Sequence, residues 1–204
     1  MSSYFKCPVI TISREYGAGG RSVARLLSQK TGLPWYDQDF VKETARDSGY
    51  SVDDINRKGE ELGFGSRLAD FFINNSHEYN SSCDKIWEVQ KNEVIKLSDH
   101  PCIIVGRASN IILREAGINS FDVFLFADFE HRMKTIEALG ENGEEDLKKF
   151  IEKRDSLRRA YYKNYTKKEL GSCRDYNLCI DTGKIGVEKA VELIASVINQ
   201  FKES

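Results

Sequence analysis

Five short runs of β-branched and aromatic residues, each followed by a stretch of helical periodicity, constrain this chain more than any other feature. They lie at residues 7–12 (CPVITI), 33–36 (LPWY), 101–105 (PCIIV), 121–127 (FDVFLFA) and 176–180 (YNLCI). Helical spacing follows at 21–30, where Val23, Ala24, Leu26 and Leu27 share a stripe and Thr31-Gly32 supplies a stop, and again at 40–48, after 107, and at 82–98, 130–139 and 187–201. Parallel strands need crossovers, and each crossover helix must bury its apolar stripe on the sheet. The expected class is therefore α/β, a five-stranded parallel sheet with helices on both faces. The 204 residues, 40% of them hydrophobic, hold enough apolar material for one full-sized core.

Two stretches break the alternation. Residues 49–81 mix Gly, Asn, Ser and charge with short apolar patches such as 68–73, and read as a helical insert. Residues 146–168 form a helix-prone, very polar stretch that includes Arg154, Asp155, Arg158 and Arg159. One domain over 1–204 is expected, with its core in 5–48, 82–139 and 175–203.

Charge narrows the partners. Lys+Arg 30 against Asp+Glu 32 gives a net charge of -2, so no global positive field exists to hold nucleic acid, and any anion site must be local. No apolar run approaches the roughly 18 residues that span a bilayer, and the first eight residues lack the plan of a secretory signal, so a soluble cytoplasmic protein without a membrane partner is expected. The five cysteines, Cys7, Cys83, Cys102, Cys173 and Cys179, make no C-x-x-C pair and read as reduced thiols in or near the core. Three scattered histidines lack the spacing of a zinc site.

Ligands of a parallel α/β sheet bind beyond the carboxyl ends of its strands. The polar motifs fall there: 13–22, 37–39, Gly106-Arg107 and Asp181-Thr182. The run Gly17-Ala18-Gly19-Gly20-Arg21-Ser22 nearly matches the dinucleotide pattern G-x-G-x-x-G, but four residues separate Ile12 from Gly17, and that longer loop suits a phosphate cradle. Gly17, Ala18, Gly19 and Gly20 would turn backbone N–H groups toward a polyphosphate, helped by the helix N-terminus, and Ser22 would offer a hydroxyl to a phosphate or to Mg²⁺. The plainer alternative is a tight turn, which does not require so many N–H groups beside Arg14 and Arg21.

With these motifs in order, ITISREYGAGGRSVA, LPWYDQDF, IIVGRA, FLFADFEHRM, EKRDSLRRAYYKNYT and YNLCIDT, the chain resembles the cytidylate-kinase-like proteins among the P-loop nucleoside-monophosphate kinases. The resemblance covers nearly the whole chain. It implies a P-loop NTPase-type three-layer sandwich, a substrate-side insert at about 49–81, a lid at about 145–172, and Mg-ATP-dependent phosphoryl transfer with CMP or dCMP as acceptor. It implies further that Arg107 grips the acceptor phosphate, that Arg154 and Arg158 stabilise the moving phosphoryl group with Arg159 closing beside them, and that Asp155 contacts substrate. By the same resemblance Arg132 lies near ATP and residues 181–183 form the adenine-side loop.

Asp37-Gln38-Asp39 resembles the D-x-D of small-molecule kinases such as shikimate kinase, where one carboxylate serves the metal shell or acts as base and the other holds substrate. Asp37 or Asp39 otherwise simply caps the helix that follows. Two positions depart from the family. The loop lysine of G-x-G-K-G-T, which neutralises donor phosphates during transfer, is replaced by Gly20. Arg21 or Arg14 would have to replace its charge. The aspartate expected before Gly106 is Val105. Three readings stay open: a nucleoside-monophosphate kinase, a kinase of a small non-nucleotide metabolite, and a non-catalytic nucleotide-binding protein.

Overall fold

The computed structural model describes residues 9–37 and 77–203, with side chains of 77–86 and 201–203 outside that description. Its elements are β1 (Val9–Arg14), α1 (Gly20–Thr31), β2 (Trp35–Tyr36), α2 (His77–Leu97), β3 (Ile103–Val105), α3 (Ser109–Glu115), β4 (Ser120–Phe126), α4 (Phe129–Leu139), α5 (Leu147–Thr166), a 3-10 turn at Cys173–Asp175, β5 (Leu178–Asp181) and α6 (Thr182–Glu203). The strands form one sheet in the order β2-β3-β1-β4-β5, and every pair is parallel. Asp39, the helix expected at 40–48 and most of the expected insert lie outside the described residues.

Alternation along the strands sorts the core into two layers. Ile10, Ile12, Ile103, Val105, Phe121, Val123 and Leu125 pack on one face with Leu27 of α1 and Ile194 and Ile198 of α6. Val9 and Ile104 pack on the other with Val94 of α2 and Ile112 and Leu113 of α3. Both faces are covered, which is why the strands read as nearly continuous apolar runs. The central strand β1 is flanked by β3 and β4, so chain direction across the sheet reverses beside it and a crevice opens at its carboxyl end. Arg14 is the last residue of that strand.

Caps account for several boundaries. The Asp128 carboxylate accepts from His131 N (2.8 Å) to open α4, and Asp146 accepts from Lys149 N (2.9 Å) to open α5. Asp181 accepts from Gly183 N and Lys184 N at 3.0 and 3.2 Å and opens a short helical turn at Thr182; Gly186 (φ 81°) breaks it, so the long part of α6 runs from 187 as expected. Helix α2 starts at His77, inside the stretch read as an insert. Cys102 is buried as expected, but Cys173 and Cys179 are exposed. Cys179 was expected in the core, yet it lies on β5, an edge strand, where its side chain is exposed. Among the described residues no helix is long and apolar enough to cross a membrane.

Helix α1 carries the loop's downstream end and is seated through Leu27, which is 0% exposed. Leu27→Ala is expected to lower stability by about 2–5 kcal/mol, read as a lower urea midpoint with unchanged slope.

Candidate functional site

The loop between β1 and α1 is shaped by what lies beneath it. Glu15 N still donates to Leu125 O (3.0 Å), extending the ladder one residue past β1. Gly17 and Gly19 then take left-handed conformations, φ 82° and 74°. A Cβ on Gly17 would stand 2.9 Å from the Arg132 carbonyl oxygen, so the loop rests on the α4 backbone at a distance only glycine permits. Ala18 faces the protein: it is 1% exposed, its N–H donates to Glu15 O (3.4 Å), and its carbonyl accepts from Thr182 Oγ1 (3.0 Å). Its amide is spent inside the loop and is not one of the phosphate-facing groups expected from sequence.

Above the loop lies a cleft of about 490 Å³, lined among others by Gly17, Gly19, Gly20, Ser22 and the arginines Arg14, Arg21, Arg107, Arg154 and Arg158. These arginines come from β1, α1, the end of β3 and α5. The stem of Arg14 runs over Gly20, with Cγ 2.9 Å and Cδ 3.1 Å from the place a Cβ there would take, and its guanidinium lies against Gly106. Gly106, Arg107 and Ala108 are all left-handed (φ 82°, 60° and 53°), an uncommon backbone path that costs about 1–3 kcal/mol for each residue bearing a side chain. Arg158 stacks over the Tyr16 ring at 4.8 Å, Arg154 over Phe150 at 5.2 Å, and Arg107 over Tyr161 at 5.8 Å.

The cluster is short of negative charge. Arg14, Arg107 and Arg158 form no ion pair among the described residues, and Arg158 Nη1 is shielded from water without a hydrogen-bond partner. Burial, followed by repulsion from Arg158, Arg107 and Arg21, pulls the Arg14 guanidinium well below its ordinary pKa, against a smaller opposing effect of Asp37. Burial chiefly brings Arg158 down to about 10, although Asp155 and Tyr16 favour its charge. A cleft with converging guanidinium groups is built for an anion.

A second set of residues supports the cleft from below. Arg132 donates to Asp155 Oδ2 and to Tyr16 O (3.1 Å), and lies 3.5 Å from Glu15 Oε2. Asp155 Oδ1 in turn accepts from Tyr16 N at 2.8 Å. The Tyr16 hydroxyl donates to Glu141 Oε2 (2.5 Å), and burial together with that bond pushes its pKa up to about 12.

The cytidylate kinase-like family model matches residues 9–184. The chain belongs to the cytidylate kinase-like family. It is similar to the cytidylate kinase of Thermoplasma acidophilum, 25% identical over 95% of this chain and 92% of that one. It is likewise similar to the cytidylate kinase of Methanocaldococcus jannaschii, 24% identical over 96% and 99% of the two chains. Among solved structures, an uncharacterized protein from Eubacterium ventriosum superposes with a TM-score of 0.69 at 25% identity, covering 94% of this chain and 98% of that one. Shikimate kinase from Acinetobacter baumannii in complex with shikimate gives 0.53 at 16% identity, covering 97% and 96%, a likeness of fold. The architecture is thus that of the P-loop kinases, three-layered with the loop after β1.

Within this family frame, several residues expected at the ligand stand elsewhere. Arg132 is buried under the loop, engaged by Asp155, and does not line the cleft. Asp155 is buried with it and is not placed to meet a substrate. Arg159 is exposed and off the cleft, because one residue of helix turns it about 100° from Arg158. Asp37 lies 2.9 Å from Arg21 Nε rather than in the cleft lining. Arg14, Gly17, Gly19, Gly20, Arg21, Ser22, Arg107, Arg154 and Arg158 are brought together. Tyr16 was missed; an aromatic residue inside a glycine loop was the available signal.

Asp155→Ala leaves Arg132 buried without its main counter-charge and is expected to cost about 3–5 kcal/mol of stability. Arg159→Ala should stay within about 0.5 kcal/mol of the parent. Chemical denaturation of both variants checks the pair, and equal small losses would place Asp155 at the surface.

Proposed function

We propose that this protein is a Mg-ATP-dependent kinase that phosphorylates a nucleoside monophosphate, with CMP or dCMP the leading acceptor. The observation that carries the reading is the set of Arg14, Arg107 and Arg158, without ion pairs among the described residues, facing one another where the glycine loop meets the end of β3. Two phosphate-bearing reactants need such a convergence, and a neutral acceptor does not. The cytidylate kinases to which the chain is similar support the nucleotide acceptor.

The residues present fit a polyphosphate. Gly17, Gly19, Gly20 and Ser22 line the cleft where α1 begins, so the loop amides and helix N-terminus would meet the phosphates there and Ser22 would add a hydroxyl. ATP supplies the transferable phosphoryl group when bound. Ser22 is the cleft group that would hold Mg²⁺, with Asp37 engaged by Arg21 outside the lining; among the described residues no cluster of three or more His, Cys, Asp or Glu is placed for a metal, so phosphate oxygens and water would complete its shell. Arg107, fixed by its left-handed backbone and by Tyr161, grips the acceptor phosphate. Tyr161 is itself held by a 2.6 Å bond to the Gln90 side chain. Arg154 and Arg158, one helical turn apart on α5, neutralise charge that builds during transfer and help exclude water. Here Tyr16 is a positioning residue, since it sets Arg158 in place.

Val105 favours a second reading, a small non-nucleotide acceptor. At 1% exposure within the core it cannot replace the family's aspartate in recognising a base.

A coupled ADP-release assay with Mg²⁺, across nucleoside monophosphates and small hydroxylated anions, tests both readings. Turnover with CMP or dCMP supports the first, turnover confined to a metabolite supports the second, and no turnover with any acceptor points to a binding protein. In the active enzyme, Arg158→Ala and Arg154→Ala should lower kcat by about 10-fold to 1000-fold with little change in ATP binding. Arg107→Ala should chiefly raise the acceptor KM.

A further inference from the structure

We infer that Arg14 is the catalytic residue that replaces the missing loop lysine, and that Gly20 is glycine because the Arg14 stem fills its side-chain place. The inference rests on the kinase reading above and specifies which cation serves it.

Two arginines compete for the role. Arg21 is adjacent to Gly20 in sequence, but its side chain is 55% exposed and its Nε lies 2.9 Å from Asp37 Oδ2. Arg14 comes from the other end of the loop. Its Cγ and Cδ stand 2.9 and 3.1 Å from where a Cβ on Gly20 would be, so a lysine at position 20 and this arginine exclude each other. Its guanidinium then continues to Gly106, immediately before Arg107. A Cβ at position 106 would collide with Arg14 Nη1, so glycine is required at both ends of the arginine's path.

This path brings the guanidinium to the junction between the loop that would hold the donor and Arg107, which would hold the acceptor. A loop lysine reaches the donor phosphates as a point charge, whereas a guanidinium offers a planar fork that can bond to oxygens of both partners. In the step proposed, the bond from the γ-phosphorus to the β–γ bridging oxygen of ATP breaks, and ADP leaves with that electron pair. A bond forms from the same phosphorus to an oxygen of the acceptor's phosphate dianion, giving a diphosphate, with no proton released. Arg14 neutralises the equatorial oxygens as charge shifts between the two ends.

The experiment compares the parent, Arg14→Met, Arg14→Lys, Arg21→Met, Gly20→Lys and the double variant Arg14→Ala/Gly20→Lys. Two measurements are made on each: phosphoryl transfer from Mg-ATP to the best acceptor of the panel, and the shift in Tm caused by pyrophosphate. Arg14→Met is expected to lose about 100-fold to 1000-fold in kcat. It should also lose most of the pyrophosphate shift, while its ligand-free Tm stays equal or rises because a crowded cation has gone. Arg21→Met should lose less on both measures. Gly20→Lys should be impaired because its side chain displaces Arg14, and the double variant should recover at least about 10-fold in kcat over Gly20→Lys.

Arg14→Met with parental kcat and pyrophosphate shift, or Arg21→Met impaired more than Arg14→Met, overturns the inference. If Gly20→Lys does not fold, Arg14→Met and Arg14→Lys decide alone. A parent that turns over no acceptor defeats the kinase reading, and the pyrophosphate shifts then separately decide whether Arg14 holds the anion.

Discussion

A buried ion pair holds the site together. Arg132 of α4 and Asp155 of α5 meet beneath the glycine loop, and between them they satisfy Tyr16 O and Tyr16 N. Removing two charges from water is costly, and the cost is offset only when further hydrogen bonds complete both partners, as the Tyr16 backbone does here. The same contact fixes the loop's height, since Gly17 rests on the Arg132 backbone. Loop, α4 and α5 therefore form one mechanical unit, and the arginines that α5 offers to the cleft are set in place by a pair that does not itself face it.

Above that clamp the physics reverses. Arg107 and Arg158 repel Arg14 in the cleft, and among the described residues Arg158 Nη1 has no hydrogen-bond partner. Local rules broken in this way mark a functional site, where stability is traded for a preformed field. A bound polyanion would remove the repulsion and stabilise the folded state by linkage. The strained path through Gly106, Arg107 and Ala108 belongs to the same economy, because it presents a guanidinium at the strand end instead of letting the chain relax into α3.

Much of this was legible in sequence, and the failures are specific. The apolar runs gave the sheet because both faces are buried, and the long spacing from Ile12 to Gly17 separated a phosphate loop from a dinucleotide turn. Family motifs named Arg107, Arg154 and Arg158. They misplaced Arg132 and Asp155, because motif order says which residues occur in a region and not which pair across 23 positions. Arg159 failed for a simpler reason: the helical period turns it away from its neighbour. Cys179 shows a different gap, since whether a strand ends up at an edge is decided by the whole topology.

Trp87 of α2 stacks on Tyr165 of α5 at 4.5 Å with their planes 7° apart, and Tyr161 meets it edge-on. Aromatic packing of this kind gives α5 a seat on the body of the protein. With two tryptophans in the chain, the other being Trp35 on the sheet, indole emission doubles as an intrinsic optical gauge: any rearrangement that lifts the arginine-bearing helix must unstack Trp87, and needs no attached dye to be seen.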